Sequence, residues 1–302
     1  MGEIKKIIKN SLVLYGITYN FLKILSYFIS DEKYIRIKYK LKFKKNLNLK
    51  NPQTFTEKIQ WRILNDKNDI YTELTDKLLV RKYIEEKIGK EYLIKLLGVY
   101  EKVEDIDYEK LPNKFVLKCN HDSGSVIICK DKLTFNKKES NKKLEFFLKK
   151  NYYYQTREIH YKNIKPLIIC EEFLEENNEA PIDYKYHCIH NNIEFIQVDI
   201  GRFNNHERNN FDKNWKLSAF IFGPKEYKFN NNFKRLEKPK SFKKMKELAI
   251  KVSKDFDYCR VDFYEVNGKV YFGEITFTPG GGMEVFSPIE WDCKLGKLWK
   301  IK

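Results

Sequence analysis

The chain lacks closely spaced thiols. It has six cysteines and no Cys-x-x-Cys pair, which removes the zinc-ribbon and dithiol-redox signatures. Cys119, Cys129, Cys170, Cys188, Cys259 and Cys293 are scattered, most of them in apolar strand-like runs. That distribution suits buried free thiols in a reducing compartment. There is no G-x-x-x-x-G-K-[ST] loop and no G-x-S-x-G nucleophile elbow. Internal repeats, low-complexity linkers and any recognisable nucleic-acid module are absent too, so no nucleic-acid partner is expected. Long hydrophobic runs are scarce. The best, Leu12 to Ile29, is interrupted by Thr18, Asn20, Lys23 and Ser26 and has no small-residue cleavage site. It therefore reads neither as a signal peptide nor as a membrane span. Two readings of it stand: a helix docked on the protein's own core, or one lying on an anionic membrane surface with Lys5, Lys6 and Lys9 ahead of it.

What is abundant is positive charge. Lys and Arg number 58 against 42 Asp and Glu, a net charge of +16. Such an excess suits nucleotides, nucleic acid, acidic polysaccharide or an anionic bilayer, and does not choose among them. The 302 residues suffice for a sizeable core in two lobes.

Residues 1–70 read as helical, with Thr54 capping a helix that carries Phe55, Ile59 and Ile63. A second helix is predicted from Thr75 to Gly89. From about residue 91 strands take over. Lys114 to Asn120 alternates, a polar turn with Ser123, Gly124 and Ser125 follows, and 126–129 is a strand. Residues 166–174 form a buried strand that stops on acids. A hairpin spans Tyr184 to Ile200 around Asn191-Asn192, and 201–235 reads as irregular. A helix near 241–254 precedes a final hairpin. Mixed helices and abundant hairpins predict an α+β fold rather than a doubly wound parallel sheet.

The final hairpin is the most informative segment. In YCRVDFYEVNGKVYFGEITFTPGGG, Tyr258 to Gly282, alternation puts Arg260, Asp262 and Tyr264 on one face of the first strand. Phe272, Glu274 and Thr276 share a face of the second. A two-residue turn at Asn267-Gly268 would set Asp262 opposite Gly273 and mix polar with apolar faces. A three-residue loop, Val266 to Gly268, instead sets Asp262 opposite Phe272 and diagonal to Glu274. Two carboxylates so placed can hold one Mg²⁺. As they would face a cleft, Asp262→Asn and Glu274→Gln are expected to leave folding nearly untouched.

Upstream, Lys118 ends a strand just before the Ser123–Ser125 turn, whose N–H groups can face a phosphate. Asp183, Lys185 and His187 share a face. Taken in order, the pattern runs lysine strand, small-residue loop, acidic strand end at EEFL (171–174), second lysine, then the Asp and Glu pair. This resembles the ATP-grasp superfamily, and more closely its TupA-like branch, named for teichuronopeptide biosynthesis and common in bacterial cell-surface polysaccharide loci. The matching segments are TFTEKIQW (54–61), DKLLVRKYI (76–84), LPNKFVLKCNHDSGS (111–125), EEFL, DYKYHC (183–188), RVDFYEVNGKVYFGEITFTPGGG (260–282) and FSPIEWD (286–292).

The resemblance implies an ATP-grasp fold of two α+β lobes with ATP and Mg²⁺ between them. Residues 1–70 would be an N-terminal helical region, 71–173 the small lobe with the phosphate loop, and 174–302 the large lobe with the metal site. Lys118 and Lys185 would contact the phosphates and the Ser123, Gly124, Ser125 loop would close over them. Glu172, Phe173 and Leu174 would form the adenine hinge, and Asp183 would hold the ribose. Asp262 and Glu274 would bind Mg²⁺, with Thr276 where many relatives have Asn. Lys185, Arg260 and Arg202 are the catalytic candidates. Arg202, His206, Arg208 and Gly280, Gly281, Gly282 are candidates for the substrate side. The implied reaction joins a small-molecule or polysaccharide-linked carboxylate to an amine through an acyl phosphate, in the cytoplasm or at the inner face of the membrane. Two rivals stand: a glycosyltransferase using the D-x-D of Asp105 to Asp107, and a non-catalytic protein that binds anionic polymer.

Overall fold

A computed structural model describes residues 11–176, 179–201, 206–224 and 236–301. In chain order the helices are α1 (Leu12–Phe28), α2 (Asp31–Phe43), α3 (Phe55–Asn65), α4 (Ile70–Thr75), α5 (Val80–Lys87), α6 (Lys137–Leu148), α7 (Tyr153–Thr156), α8 (Phe242–Ser253) and α9 (Glu290–Leu298). The strands are β1 (Leu96–Tyr100), β2 (Phe115–Cys119), β3 (Ile127–Cys129), β4 (Ile168–Glu172), β5 (Asp183–Ile189), β6 (Asn192–Ile200), β7 (Glu207–Phe211), β8 (Ile221–Gly223), β9 (Tyr258–Val266), β10 (Lys269–Thr276) and β11 (Val285–Ser287).

The chain forms two compact units, each assembled from three segments: 1–38, 67–80 and 94–173 in the first, and 39–66, 81–93 and 174–302 in the second. The helical stretch 1–70 is thus shared between the units.

In the first unit an antiparallel sheet runs in the order β1-β4-β2-β3. Alternation decides its faces. Phe115, Leu117 and Cys119 are buried while Val116 and Lys118 are half-buried. Those inward residues meet Leu144 and Phe147 of α6, and Leu12 and Tyr15 of α1 pack on the same cluster. Asn136 caps α6 by accepting from the Glu139 N–H at 3.0 Å.

The second unit is built on an antiparallel sheet of order β10-β9-β5-β6-β7. One face carries Val261, Phe263, Tyr186, Cys188, Ile196 and Val198, all buried. Met245, Leu248, Ala249 and Val252, the apolar stripe of α8, cover it. Helix α3 begins at a capping box between Thr54 and Glu57. Its Thr56 donates from N and Oγ1 to Asp292 of α9, at 2.8 and 2.7 Å. Phe55 is ringed edge-on by Tyr258, Phe222 and Phe286. Full burial of that ring contributes about 1.5–3 kcal/mol. Lys58 donates to the Gly296 carbonyl at 2.8 Å and to that of Trp299, so it closes the C-terminus of α9. Burial lowers its pKa.

Several local expectations need correction. The helix expected over 75–89 is interrupted at 76–79, and Asp76 accepts there from the Leu78 N–H at 2.8 Å. The β5–β6 turn is centred on His190-Asn191, both at positive φ, not on Asn191-Asn192. Residues 207–211 and 221–223 are strands inside the segment expected to be irregular. Their Asn and Arg content hid them.

The β9–β10 hairpin turns on two residues. Asn267 and Gly268 both have positive φ, +51° and +75°, and Val266 pairs with Lys269. The expected three-residue loop does not form. Instead the register shifts between Phe272 and Glu274, leaving Gly273 as a bulge. Phe272 then faces Phe263 on the apolar side, and Glu274 stands directly opposite Asp262. The expected common face is present, reached by a bulge and not by loop length.

Five of the six cysteines are buried, and only Cys293 is exposed. Burial pushes the thiols of Cys119, Cys170 and Cys188 up to about 12, and that of Cys259 well above its usual value.

Candidate active site

Cross-strand register assembles the polar face of the second unit's sheet. One row reads Glu274, Asp262, Lys185, Gln197, Asn210 across β10, β9, β5, β6 and β7. A neighbouring row sets Thr276 opposite Arg260, Arg260 opposite His187 and His187 opposite Phe195. On the other side Asp183 pairs with Asp199 and Asp199 with Arg208.

Ion pairs knit the face. Lys185 donates to Asp262 at 2.8 Å and to Asp183, with Asp199 at 3.8 Å. Arg260 forks onto Asp262 with two contacts of 2.7 Å and reaches Glu274. Arg208 forks onto Asp199 at 2.6 and 3.1 Å and donates to Glu284 at 2.7 Å. His187 lies flat on Phe195 at 3.9 Å, and its Nδ1 sits 3.0 Å from the Tyr258 hydroxyl. Burial, seconded by Arg260, holds His187 neutral, well below its usual pKa.

Among the described residues of this face, carboxylates outnumber fixed cations: Asp183, Asp199, Asp262, Glu274 and Glu284 against Lys185, Arg208 and Arg260. Burial alone would raise Asp199, but Arg208, His206 and Lys185 hold it below the carboxylate range. Asp262 goes the other way. Burial pushes it up to about 6 even with Arg260 and Lys185 pulling it down. A buried carboxyl that resists ionising beside two cations can accommodate further positive charge. The oxygen-only pair Asp262 and Glu274 fits Mg²⁺, which takes one or two protein carboxylates and completes its shell with phosphate and water. Among the described residues no cluster of three or more acidic, His or Cys ligands is arranged around a metal, so that pair would be the protein's share.

The first unit presents its own polar cluster. Lys118 pairs with Glu171 of β4 at 2.5 Å. The following turn folds onto Asp122, whose Oδ1 accepts from the Gly124 and Ser125 N–H groups at 3.3 and 3.4 Å and from Ser125 Oγ at 2.7 Å. Ser125 also accepts from the Cys119 N–H at 2.7 Å. Lys77 braces the turn by donating to the carbonyls of Asp122 and Asn120.

The family model described as TupA-like ATPgrasp matches residues 57–300. The chain belongs to the TupA-like ATP-grasp family. This TupA-like protein is similar to solved structures that include D-alanine–D-alanine ligase from Bacillus anthracis complexed with ATP, at 15% identity and a TM-score of 0.38 over 69% of this chain and 55% of that one. Another is L-amino acid ligase from Bacillus licheniformis, at 14% identity and 0.44 over 84% and 56%. A third is phosphoribosylamine–glycine ligase from Thermotoga maritima, at 15% identity and 0.41 over 74% and 55%. The TupA-like chain thus spans a little over half the length of these structures. No curated protein matches it.

Against this family background the expected residues sort unevenly. Lys185, Arg260, Asp183, Asp262, Glu274 and Thr276 meet on one sheet face, where Thr276 Oγ1 lies 3.4 Å from Glu274. Arg208 belongs to strand β7 and is engaged by Asp199 and Glu284, and His206 Nε2 is 3.5 Å from Asp199. Trp215, in the same stretch of the chain, is stacked on Phe211 at 4.3 Å. Arg202 lies outside the described residues. Ser125 points inward, whereas Ser123 is exposed and Gly124 half-buried. Glu172 ends β4 with its N–H donating to the Lys95 carbonyl at 2.9 Å, and Phe173 and Leu174 leave the sheet half-buried. Gly280, Gly281 and Gly282 form a left-handed turn, φ +58°, +58° and +64°. Gln60 of α3 donates to the Gly281 carbonyl at 2.8 Å, and a Cβ on Gly282 would collide with that same Gln60. The D-x-D is a surface turn, with Asp107 paired to Lys110 at 3.0 Å and Asp105 to Lys102 at 3.8 Å.

Sequence reasoning missed Asp199, Gln197, Glu284 and Asp122, and noted Lys77 only as a family-like position without a role. A signal for two of them existed. In the β6 sequence Gln197 and Asp199 alternate with buried Ile196 and Val198, the period of a strand with one polar face.

Proposed function

We propose that the chain is an ATP- and Mg²⁺-dependent carboxylate–amine ligase that forms an amide through an acyl phosphate. Its substrates on this reading are an amino acid or other amine and a uronic acid, in bacterial capsule or cell-surface polysaccharide biosynthesis. Family membership supports the ATP-dependent class. The single observation that carries the site is the row Glu274, Asp262, Lys185 with Arg260 bridging the two carboxylates.

When bound, Mg²⁺ supplies charge that offsets the phosphate oxygens. Asp262 and Glu274 would hold it. Lys185, fixed between Asp183 and Asp262, would present its ammonium to a phosphate. Arg260 would release Glu274 to the metal while keeping its fork on Asp262, leaving a guanidinium beside the transferring group. The substrate carboxylate oxygen attacks the γ-phosphorus and displaces ADP. The amine nitrogen then attacks the acyl carbon, displaces phosphate and gives up its proton to water. Neutral His187, stacked and buried, orients Tyr258 and takes no part in the transfer.

ADP release from Mg·ATP across a panel of uronic acids with amino acids tests the reading. The expected result is ADP formed only when a carboxylate is present, with an amide product of matching mass. Tighter binding of a nucleoside-diphosphate sugar than of ATP would overturn it in favour of a glycosyltransferase. Polymer binding that survives loss of Asp262 and Glu274, with no ADP formed, would overturn it in favour of a non-catalytic binder.

A further inference from the structure

Helix α1 has two apolar sides, and among the described residues only one is packed against the protein. Its inner side carries buried Tyr19, whose hydroxyl accepts from the Asn151 N–H at 2.9 Å, while Leu12 and Tyr15 pack on the core of the first unit. Its outer side carries Ile17, Phe21, Ile24 and Phe28, exposed by 62%, 62%, 58% and 81%. Spacings of four, three and four residues place these side chains along one stripe of the helix. Val13 and Tyr27, exposed by 71% and 72%, widen it. Scattered exposed apolar residues are ordinary, but a continuous stripe along a 17-residue helix is not.

The charge in this part of the sequence is mostly positive. Residues 1–50 hold twelve Lys and Arg and three acids, so a sixth of the chain carries more than half of its net charge of +16. No acid lies within α1. The start of α2 adds exposed Lys33 and Ile37. A second copy of the same basic face would meet this charge with repulsion. A bilayer of anionic phospholipid offers both what the stripe lacks, an apolar phase, and what the lysines lack, negative charge.

We propose that α1 and the first residues of α2 form a docking face for an anionic membrane, with the outer stripe of α1 lying in the interfacial plane. No helix of the described residues is long and apolar enough to cross a bilayer, so this is attachment to a surface. The inference is independent of the catalytic reading, because it invokes none of the residues placed in the site.

Vesicle co-sedimentation of the full chain tests it. Vesicles of phosphatidylcholine alone are compared with vesicles that also contain phosphatidylglycerol, at about 0.1 M and about 1 M salt, where the screening length falls from about 10 Å to about 3 Å. The expected result is binding to the phosphatidylglycerol vesicles at low salt that drops at high salt. Phe21→Asp with Phe28→Asp should weaken it by about tenfold or more. Lys9→Glu with Lys33→Glu, which leave the stripe intact, should weaken it as well. Circular dichroism and ATP binding should match the parent in both variants. No binding to the phosphatidylglycerol vesicles, equal binding to both vesicle types, or binding indifferent to both pairs of substitutions would overturn the proposal. So would a dimer in sedimentation velocity that Phe21→Asp with Phe28→Asp dissolves, because the stripe would then be a contact between copies.

Discussion

Asp262 and Glu274 stand opposite each other in the same hairpin, yet they differ sharply as residues. Asp262 is 1% exposed and lies against two buried cations, whereas the Glu274 side chain is 40% exposed and meets Arg260. The expectation that both could be neutralised without harm to the fold therefore fails for one of them. Asp262→Asn removes the buried carboxylate that Lys185 and Arg260 share and should cost about 3–5 kcal/mol of stability. Glu274→Gln removes a solvent-screened pair and should cost no more than about 1 kcal/mol. Urea unfolding measures both, and equal losses would contradict the burial argument. Turnover should fall in both variants by more than ATP affinity does, since the metal acts mainly on charge that develops during transfer. Asp262 also sets a pH dependence. Its carboxyl is raised to about 6, so the metal-free folded state binds more protons than the unfolded chain between the ordinary carboxylate pKa of about 4 and that value. Its contribution to stability is fully present below that window and is lost as pH rises through it. Metal binding needs the ionised form, so Mg²⁺ affinity should rise as pH passes about 6. Titration calorimetry across that window should show the rise in the parent and a flat response in Asp262→Asn.

The β9–β10 hairpin shows how far an element can be read from its letters. Alternation marked both strands, their faces and the turn region, because a half-buried strand writes its period of two into the sequence. The route to a common face was hidden. A glycine at 273 reads equally as a strand residue or as a bulge, and only the partner strand decides between them. The pairing of β5 with β9, which sets Lys185 opposite Asp262, was hidden for a related reason: periodicity names a residue's face and not its neighbour. Strand β7 was hidden by polar letters that its buried Asn209 and Asn210 spend on the interior of the sheet. The turn itself is testable. A two-residue turn needs positive φ at Asn267, which a loop of three would not. Asn267→Gly should therefore be neutral or slightly stabilising. Asn267→Val should cost about 1–2 kcal/mol, read by thermal or urea unfolding. Equal stability of the two variants would argue for the longer loop.

At the scale of the whole chain, the two units are interleaved and not consecutive. Five passages between them, at 38/39, 66/67, 80/81, 93/94 and 173/174, mean that no single cut separates one from the other. A fragment starting at residue 71 would keep every residue of the candidate site and still lose α3. With α3 go the Arg62 bond to the Tyr258 carbonyl at 2.8 Å, the Gln60 hold on Gly281 and the Phe55 ring cluster. Such a fragment should fail to give a cooperative thermal transition, although every residue of the candidate site is present. The burial of the thiols has a use beyond stability. Native protein exposes one sulfur to reagents, that of Cys293 on α9, and screens the other five by packing and by the protonation that packing enforces. The unaltered chain is thus a ready-made carrier for a single fluorophore or spin label. A maleimide should add one mass increment to the folded protein and six after denaturation, giving each later experiment a fixed reporter without any engineered cysteine.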